Sequence, residues 1–130
     1  NGNSKLYLSN YCGSHSLIDD PAEANGETVE VETIRLDSVL GLERIDVLKI
    51  DVEGLEIEVI KSLGSFRPKI ILEYFSERVM RSGLDGPSFV KILHELGYTN
   101  LKNLDSPSSG IAPIIANEKI VVNLLASTDP

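Results

Sequence analysis

Four ionisable side chains gather where two apolar runs end. Lys49 and Asp51 stand at the close of the run 45–50, Glu53 follows at once, and Glu73 lies within the next run, 69–75. In open α/β sheets ligands collect at the carboxyl ends of the strands. Three carboxylates on such a rim could bind a cation, hydrogen-bond a hydroxyl-bearing ligand, or serve as a general base. Lys49 precedes Asp51 by two residues, so both point to the same side of a strand. A lysine in an apolar strand needs a partner or a route to solvent. Tyr74 and Phe75 follow Glu73 and could stack on a ligand or pack in a core. A structural account competes. On it Asp51 caps a helix spanning 53–63, Glu53 answers the helix dipole, and Glu73 pairs with Lys49 or Arg78. Spacing alone leaves both accounts open and leaves the part of a metal undecided.

Other chemistry-bearing residues are sparser. Cys12 and His15 are close in sequence, but nothing marks an activated thiol. His94 falls beside Leu93 in a helical pattern and reads as an exposed helix residue. The sequence contains no GxGxxG, GxxxxGK[ST], HExxH or GxSxG, which removes phosphate-cradle, zincin and hydrolase-elbow chemistry.

The elements that must position the rim follow from periodicity. Residues 45–50 form a nearly continuous β-branched run, which predicts a parallel strand buried on both faces. From Glu53 the spacing turns helical, with Leu55, Val59, Ile60 and Leu63 on one stripe and Gly64 as a stop. A second buried run after Pro68 completes a βαβ unit over 45–75. Gly86-Pro87-Ser88 opens another helix, whose apolar stripe is Phe89, Val90, Leu93 and Leu96 and whose end is Gly97. Residues 98–104 predict a strand, and residues 118–125 a last strand that pairs antiparallel, because too little chain remains for another crossover. Upstream, alternation in 5–8 and 28–36 predicts two strands that pair as a hairpin across the acidic link 19–27, with an irregularity near Glu32-Thr33. The fold class is therefore α/β, with a mostly parallel sheet, an antiparallel last strand and an N-terminal hairpin. One domain spans 1–130, divided into a hairpin region, 1–36, and an α/β core, 45–126.

Composition bounds the function. A chain of 130 residues can bury one core. Its net charge of -8 argues against capture of nucleic acid or anionic lipid. Thirteen of the 20 acids lie between Asp19 and Glu58, against three bases there. No apolar run approaches the ~20 residues of a membrane span. The lone Cys12 leaves no internal disulfide and favours a reducing, cytoplasmic setting.

The run Thr33-Ile34-Arg35-Leu36-Asp37-Ser38-Val39-Leu40, the segment Lys49-Ile50-Asp51-Val52-Glu53-Gly54-Leu55-Glu56 and the stretch from Pro68 to Glu73 together resemble the FkbM family of S-adenosylmethionine-dependent methyltransferases. That family is marked by "T-L-D", "I-D-x-L-K-I-D-V-E-G-x-E" and "P-x-I-x-x-E". The resemblance implies a Rossmann-like methyltransferase sheet and transfer of a methyl group to a hydroxyl of a sugar or natural-product acceptor. It implies that Asp51 or Glu53 orients or deprotonates that hydroxyl, while Glu73, Lys49 and Tyr74 contact the substrate. Asp37 matches the "L-D" position and Glu56 the end of the motif. The family's glycine-rich donor turn, "D-x-G-x-x-x-G", has no counterpart, so the expectation is a C-terminal half of the fold that binds no S-adenosylmethionine itself. The strand 45–50 would then expose an apolar edge, which predicts a homo-oligomer or an edge-paired dimer. Two alternatives stand beside this one. The first is a non-catalytic α/β interaction domain that uses that edge. The second is a barrel-type cyclic-dinucleotide phosphodiesterase with Asp51 and Glu73 as metal ligands.

Overall fold

The computed structural model describes residues 2–11, 13–39 and 43–129. Two sheets result from the two kinds of pattern. The alternating segments form strands β1 (Gly2–Ser9) and β2 (Ala24–Thr33), paired antiparallel from Gly2 opposite Thr33 to Tyr7 opposite Thr28. The register slips between Tyr7 and Ser9, not near Glu32-Thr33, where pairing is regular. Strand β2 begins inside the acidic link because Asp20 folds that link into a turn. Its backbone carbonyl accepts from the amides of Glu23 and Ala24, and its carboxylate accepts from Ala22.

The second sheet contains β3 (Val47–Ile50), β4 (Lys69–Phe75), β5 (Asn100–Asn103) and β6 (Val121–Ser127) in the order β3-β4-β6-β5. Strands β3 and β4 are parallel, and β6 runs antiparallel to both β4 and β5. Three strands thus share one direction. The last strand is not at the edge; it separates β4 from β5.

Helices α1 (Glu56–Lys61), α2 (Ser76–Arg81), α3 (Gly86–Glu95) and α4 (Ala112–Ile115) complete the fold. Burial alternates strictly along β4, where Ile70, Leu72 and Tyr74 are buried and the residues between them are not. Ile57, Ile60 and Leu63 at α1, Phe89, Val90 and Leu93 of α3, and Ile114 of α4 join them in one core cluster. Burying such side chains stabilises by about 1.5–3 kcal/mol each. The opposite face is more open. Val47 is 59% exposed and Val121 51%, so β3 is not the doubly buried strand its sequence predicts. Its apolar run cannot encode which face a second layer will cover.

Helix α3 starts where proline predicts, and the cap is Asp85, whose carboxylate accepts from the Ser88 amide at 2.8 Å. Helix α1 is shorter than the predicted 53–63, because Glu53 and Gly54 adopt positive φ and cannot be helical. Its C-terminal end is clasped by the segment before β3. The Asp37 amide donates to the Ser62 carbonyl at 2.9 Å, and Arg35 forks onto Asp37 while donating to the Lys61 carbonyl at 3.2 Å. Arg35 holds the Asp37 carboxyl below the ordinary aspartate range through this hydrogen bond. The "L-D" aspartate is therefore a clasp, distant in role from the strand-end rim. Among the described residues no helix is long and apolar enough to cross a membrane.

Candidate functional site

The rim takes shape where β3 and β4 end. Their register pairs Lys49 with Ile71 and Ile50 with Leu72, so the next step along both chains sets Asp51 beside Glu73. Lys49 and Glu73 both occupy the open face, opposite the buried Ile50 and Leu72. The Lys49 ammonium donates to Asp51 Oδ2 at 3.2 Å, with both side chains about half exposed. Lysine thus finds both the partner and the solvent its position demands. Asp51 caps no helix, since the residue before α1 is Leu55 and no side chain caps it.

Glu53 occupies a left-handed conformation, φ 56°, followed by Gly54 at φ 102°. A non-glycine residue there is uncommon and is held by its surroundings. Two contacts do the holding. Glu56, buried within the first turn of α1, accepts from the Gly54 amide at 3.0 Å through Oε1. Gly54 itself packs so closely on α2 that an added Cβ would lie 2.7 Å from the Arg78 carbonyl oxygen. The motif's glycine and second glutamate are thus structural, and they aim the first. Burial pushes the Glu56 carboxyl above the usual glutamate range, against the backbone amides that favour its charge. Among the described residues its Oε2 has no hydrogen-bond partner.

The side chain of Glu53 is 17% exposed and its Oε2 lies 3.1 Å from Arg78 Nε. Burial raises its pKa first, Arg78 opposes, and the Asp51, Glu73 and Glu23 carboxylates add to the upward push. The three rim carboxylates therefore share one electrostatic environment, as their sequence positions predict. Lys49 pairs with Asp51, and Arg78 with Glu53, Asp20 and Glu23. Neither is the partner of Glu73, contrary to the expected pairing. Among the described residues no group of three or more His, Cys, Asp and Glu is arranged to hold a metal ion. Strand β6 runs antiparallel between β4 and β5, where a (β/α) barrel has parallel strands only, which removes the barrel alternative.

Tyr74 is not at the rim. It is fully buried on the helix-covered face, its ring edge-on to Phe89 at 5.1 Å between centroids, so the expected contact with substrate is corrected to a core contact. Strand alternation decides this: Phe75, one residue on, takes the open face, with the Arg78 guanidinium 5.6 Å above its ring. His15 Nδ1 accepts from the Ser9 amide at 3.0 Å and fastens the hairpin loop; its expected neighbour Cys12 lies outside the described residues. His94 is exposed on α3. Sequence reasoning missed the importance of Arg78. Helix α2, which carries it, has too few apolar residues for a periodic stripe, and its only signal is a pair of arginines, Arg78 and Arg81, in the last turn.

Together these groups can hold a hydroxyl-bearing molecule by hydrogen bonds and accept a proton from it. Comparison with known proteins places the chain in a family. A model of the methyltransferase FkbM domain matches residues 1–99. The chain is similar to methyltransferase sdnD of Sordaria araneosa, 36% identical in an alignment 81 residues long, gaps included, with 54% of this chain and 31% of that protein covered. The chain thus spans about a third of the length of the curated relative it matches. No solved structure matches. With three-quarters of its residues matched and the rim motif intact, the chain belongs to the FkbM methyltransferase family.

Proposed function

We propose that this chain forms the acceptor side of a methyl-transfer site, where the hydroxyl of a sugar or natural-product scaffold is held and activated. Glu53 accepts or orients the hydroxyl proton, Asp51 shares in orienting it, and Glu73 with Lys49 holds the rest of the acceptor. The supporting observation is the condition of Glu53: a mostly buried carboxyl, raised in pKa by burial, fixed in a strained turn at the strand ends. A carboxyl raised toward neutrality is a stronger proton acceptor than an ordinary one. Exposed Asp51 suits hydrogen bonding instead. Glu53→Gln and Asp51→Asn in the complete enzyme test the assignment. A loss of about 10²-fold or more in turnover for Glu53→Gln supports it, and unchanged turnover in both variants overturns it.

The family draws its methyl group from S-adenosylmethionine, which supplies an electrophilic carbon. The residues here do not fit that donor. Gly54 stands at the turn between β3 and α1, but the space beside it is filled by the Arg78 carbonyl, and no glycine-rich turn follows β4. We therefore infer that these residues alone bind the donor weakly or not at all and do not turn over. Tight binding of S-adenosylmethionine to the 130-residue chain, measured by calorimetry, overturns this inference.

A second reading, an α/β interaction module, is favoured by the open sheet face with exposed Val47 and Val121 and by the outer edge of β3, which pairs with no strand among the described residues. Such an edge is a template for pairing with another chain. A homo-oligomer or edge-paired dimer follows from this reading. Sedimentation of the chain tests it, a monomer at all accessible concentrations counting against it.

A further inference from the structure

Arg78 is a polar centre that the rim chemistry does not use directly. Its side chain is 5% exposed, and each of its three guanidinium nitrogens faces a different carboxylate. Nη1 donates to Asp20 Oδ2 at 2.8 Å, Nη2 donates to Glu23, and Nε forms an ion pair with Glu53 Oε2 at 3.1 Å, outside hydrogen-bond geometry. Arg81 also donates to Asp20. The guanidinium carbon lies 5.6 Å from the centroid of the Phe75 ring, within cation–π range. Asp20 and Glu23 belong to the link between β1 and β2, and Glu53 belongs to the rim; the three segments are remote in sequence.

This arrangement joins two parts of the molecule that have little else in common. Neither β1 nor β2 packs extensively on any element of the second sheet. The link that carries them is built on Asp20, whose backbone and side-chain oxygens accept from the amides of Ala22, Glu23 and Ala24. Asp20 is buried, and a buried carboxylate must be paired. Arginine suits the task because its planar fork can serve several acceptors at fixed angles, whereas an ammonium is a single point charge.

We propose that Arg78 is a positioning residue that docks the hairpin link and orients the Glu53 carboxylate with one guanidinium, so that the two events are coupled. The proposal deepens the assignment of Glu53 as proton acceptor and gives the hairpin a part in it. The charges that act on Glu53 are Arg78, 3.1 Å away, and the carboxylates of Asp51, Glu73 and Glu23. Arg78 is the cation among them.

The test uses two readouts on the 130-residue chain, neither of which needs methyl transfer, so they succeed or fail independently of the role of Glu53 in turnover. One is the titration of the Glu53 carboxyl by carbon NMR. The other is hydrogen exchange at the amides of Ala22, Glu23 and Ala24. In Arg78→Gln the Glu53 midpoint moves upward, by about one unit or more for loss of an adjacent opposite charge. Exchange in the link accelerates about tenfold or more while β4 and β6 keep their protection. In Arg78→Lys a single ammonium replaces the fork, and at most one readout returns to the wild-type value. An unmoved Glu53 midpoint in Arg78→Gln overturns the proposal and leaves Arg78 a purely structural clamp. Recovery of both readouts in Arg78→Lys overturns it as well, and that variant alone decides the matter if Arg78→Gln does not fold.

Discussion

Replacing Gly54 by alanine measures how tightly the rim turn sits on α2. Two costs are separable. Gly54 has φ 102°, and forcing a Cβ residue into such a conformation costs about 1–3 kcal/mol. In addition the new methyl would lie 2.7 Å from the Arg78 carbonyl oxygen and 3.0 Å from its carbon. Those are backbone atoms of a helix and cannot swing aside, so overpacking adds about 1–3 kcal/mol. Gly83 supplies the control, because it has φ 88° and nothing within 4 Å of an added Cβ. Gly83→Ala incurs the conformational cost alone. The expected totals are about 2–6 kcal/mol for Gly54→Ala and about 1–3 kcal/mol for Gly83→Ala. Urea unfolding followed by circular dichroism reads the difference. At an m-value of about 1–3 kcal/mol/M the midpoints of the two variants should differ by about 1 M. Equal midpoints at equal m-values would refute the close approach of the turn to α2, and with it the account of why glycine stands at this position.

The remaining predictions concern other buried groups and the open face. Glu56 has its pKa raised by burial, so its contribution to stability is fully present below the unfolded-state value and is lost as pH rises through the folded one. Glu56→Gln keeps an acceptor for the Gly54 amide and flattens that acid-side window in pH-dependent unfolding, whereas Glu56→Ala lowers stability at all pH by about 1–3 kcal/mol. Tyr74 has a buried hydroxyl without a hydrogen-bond partner among the described residues. Tyr74→Phe should therefore leave stability unchanged or raise it by about 1 kcal/mol, and acceptor affinity in the complete enzyme should not move; a weakened affinity would return Tyr74 to the site. Val47→Lys places charge on the exposed outer strand. It should leave the unfolding midpoint within about 0.5 kcal/mol of the parent while reducing self-association in sedimentation.

The parts of this fold legible in the sequence are those fixed by neighbours along the chain. Lys69–Phe75 reads as a strand because its apolar residues are continuous and it emerges from Pro68, and helix α3 announces itself through Gly86-Pro87 and a clear stripe. The start of α1 is another matter. Helical spacing extends back to Glu53, but Glu53 and Gly54 take positive φ, in a turn whose glycine lies close against the Arg78 backbone. A contact between residues 24 positions apart leaves no local trace. The same reason explains the site. Asp51, Glu53 and Glu73 could be placed on one rim from strand ends alone, yet the cation that holds Glu53 comes from a helix with no periodic signal, and its other partners come from the hairpin link. Tyr74 and Phe75 show the limit in a single step, since alternation guarantees that one faces the core and says nothing about which.

The placement of β6 between β4 and β5 bears on how the polypeptide is made. During synthesis β4 and β5 leave the ribosome as strands that never pair with each other. Until Val121–Ser127 arrives, β4 has only the short β3 beside it, and β5 has no partner at all among the described strands. Assembly of the sheet must therefore wait for Val121–Ser127, and until that segment is made the nascent chain carries unpaired strand edges. Such intermediates are prone to aggregate and are natural clients of chaperones. A stop codon anywhere between residues 105 and 120 would deprive both strands of the partner that unites them.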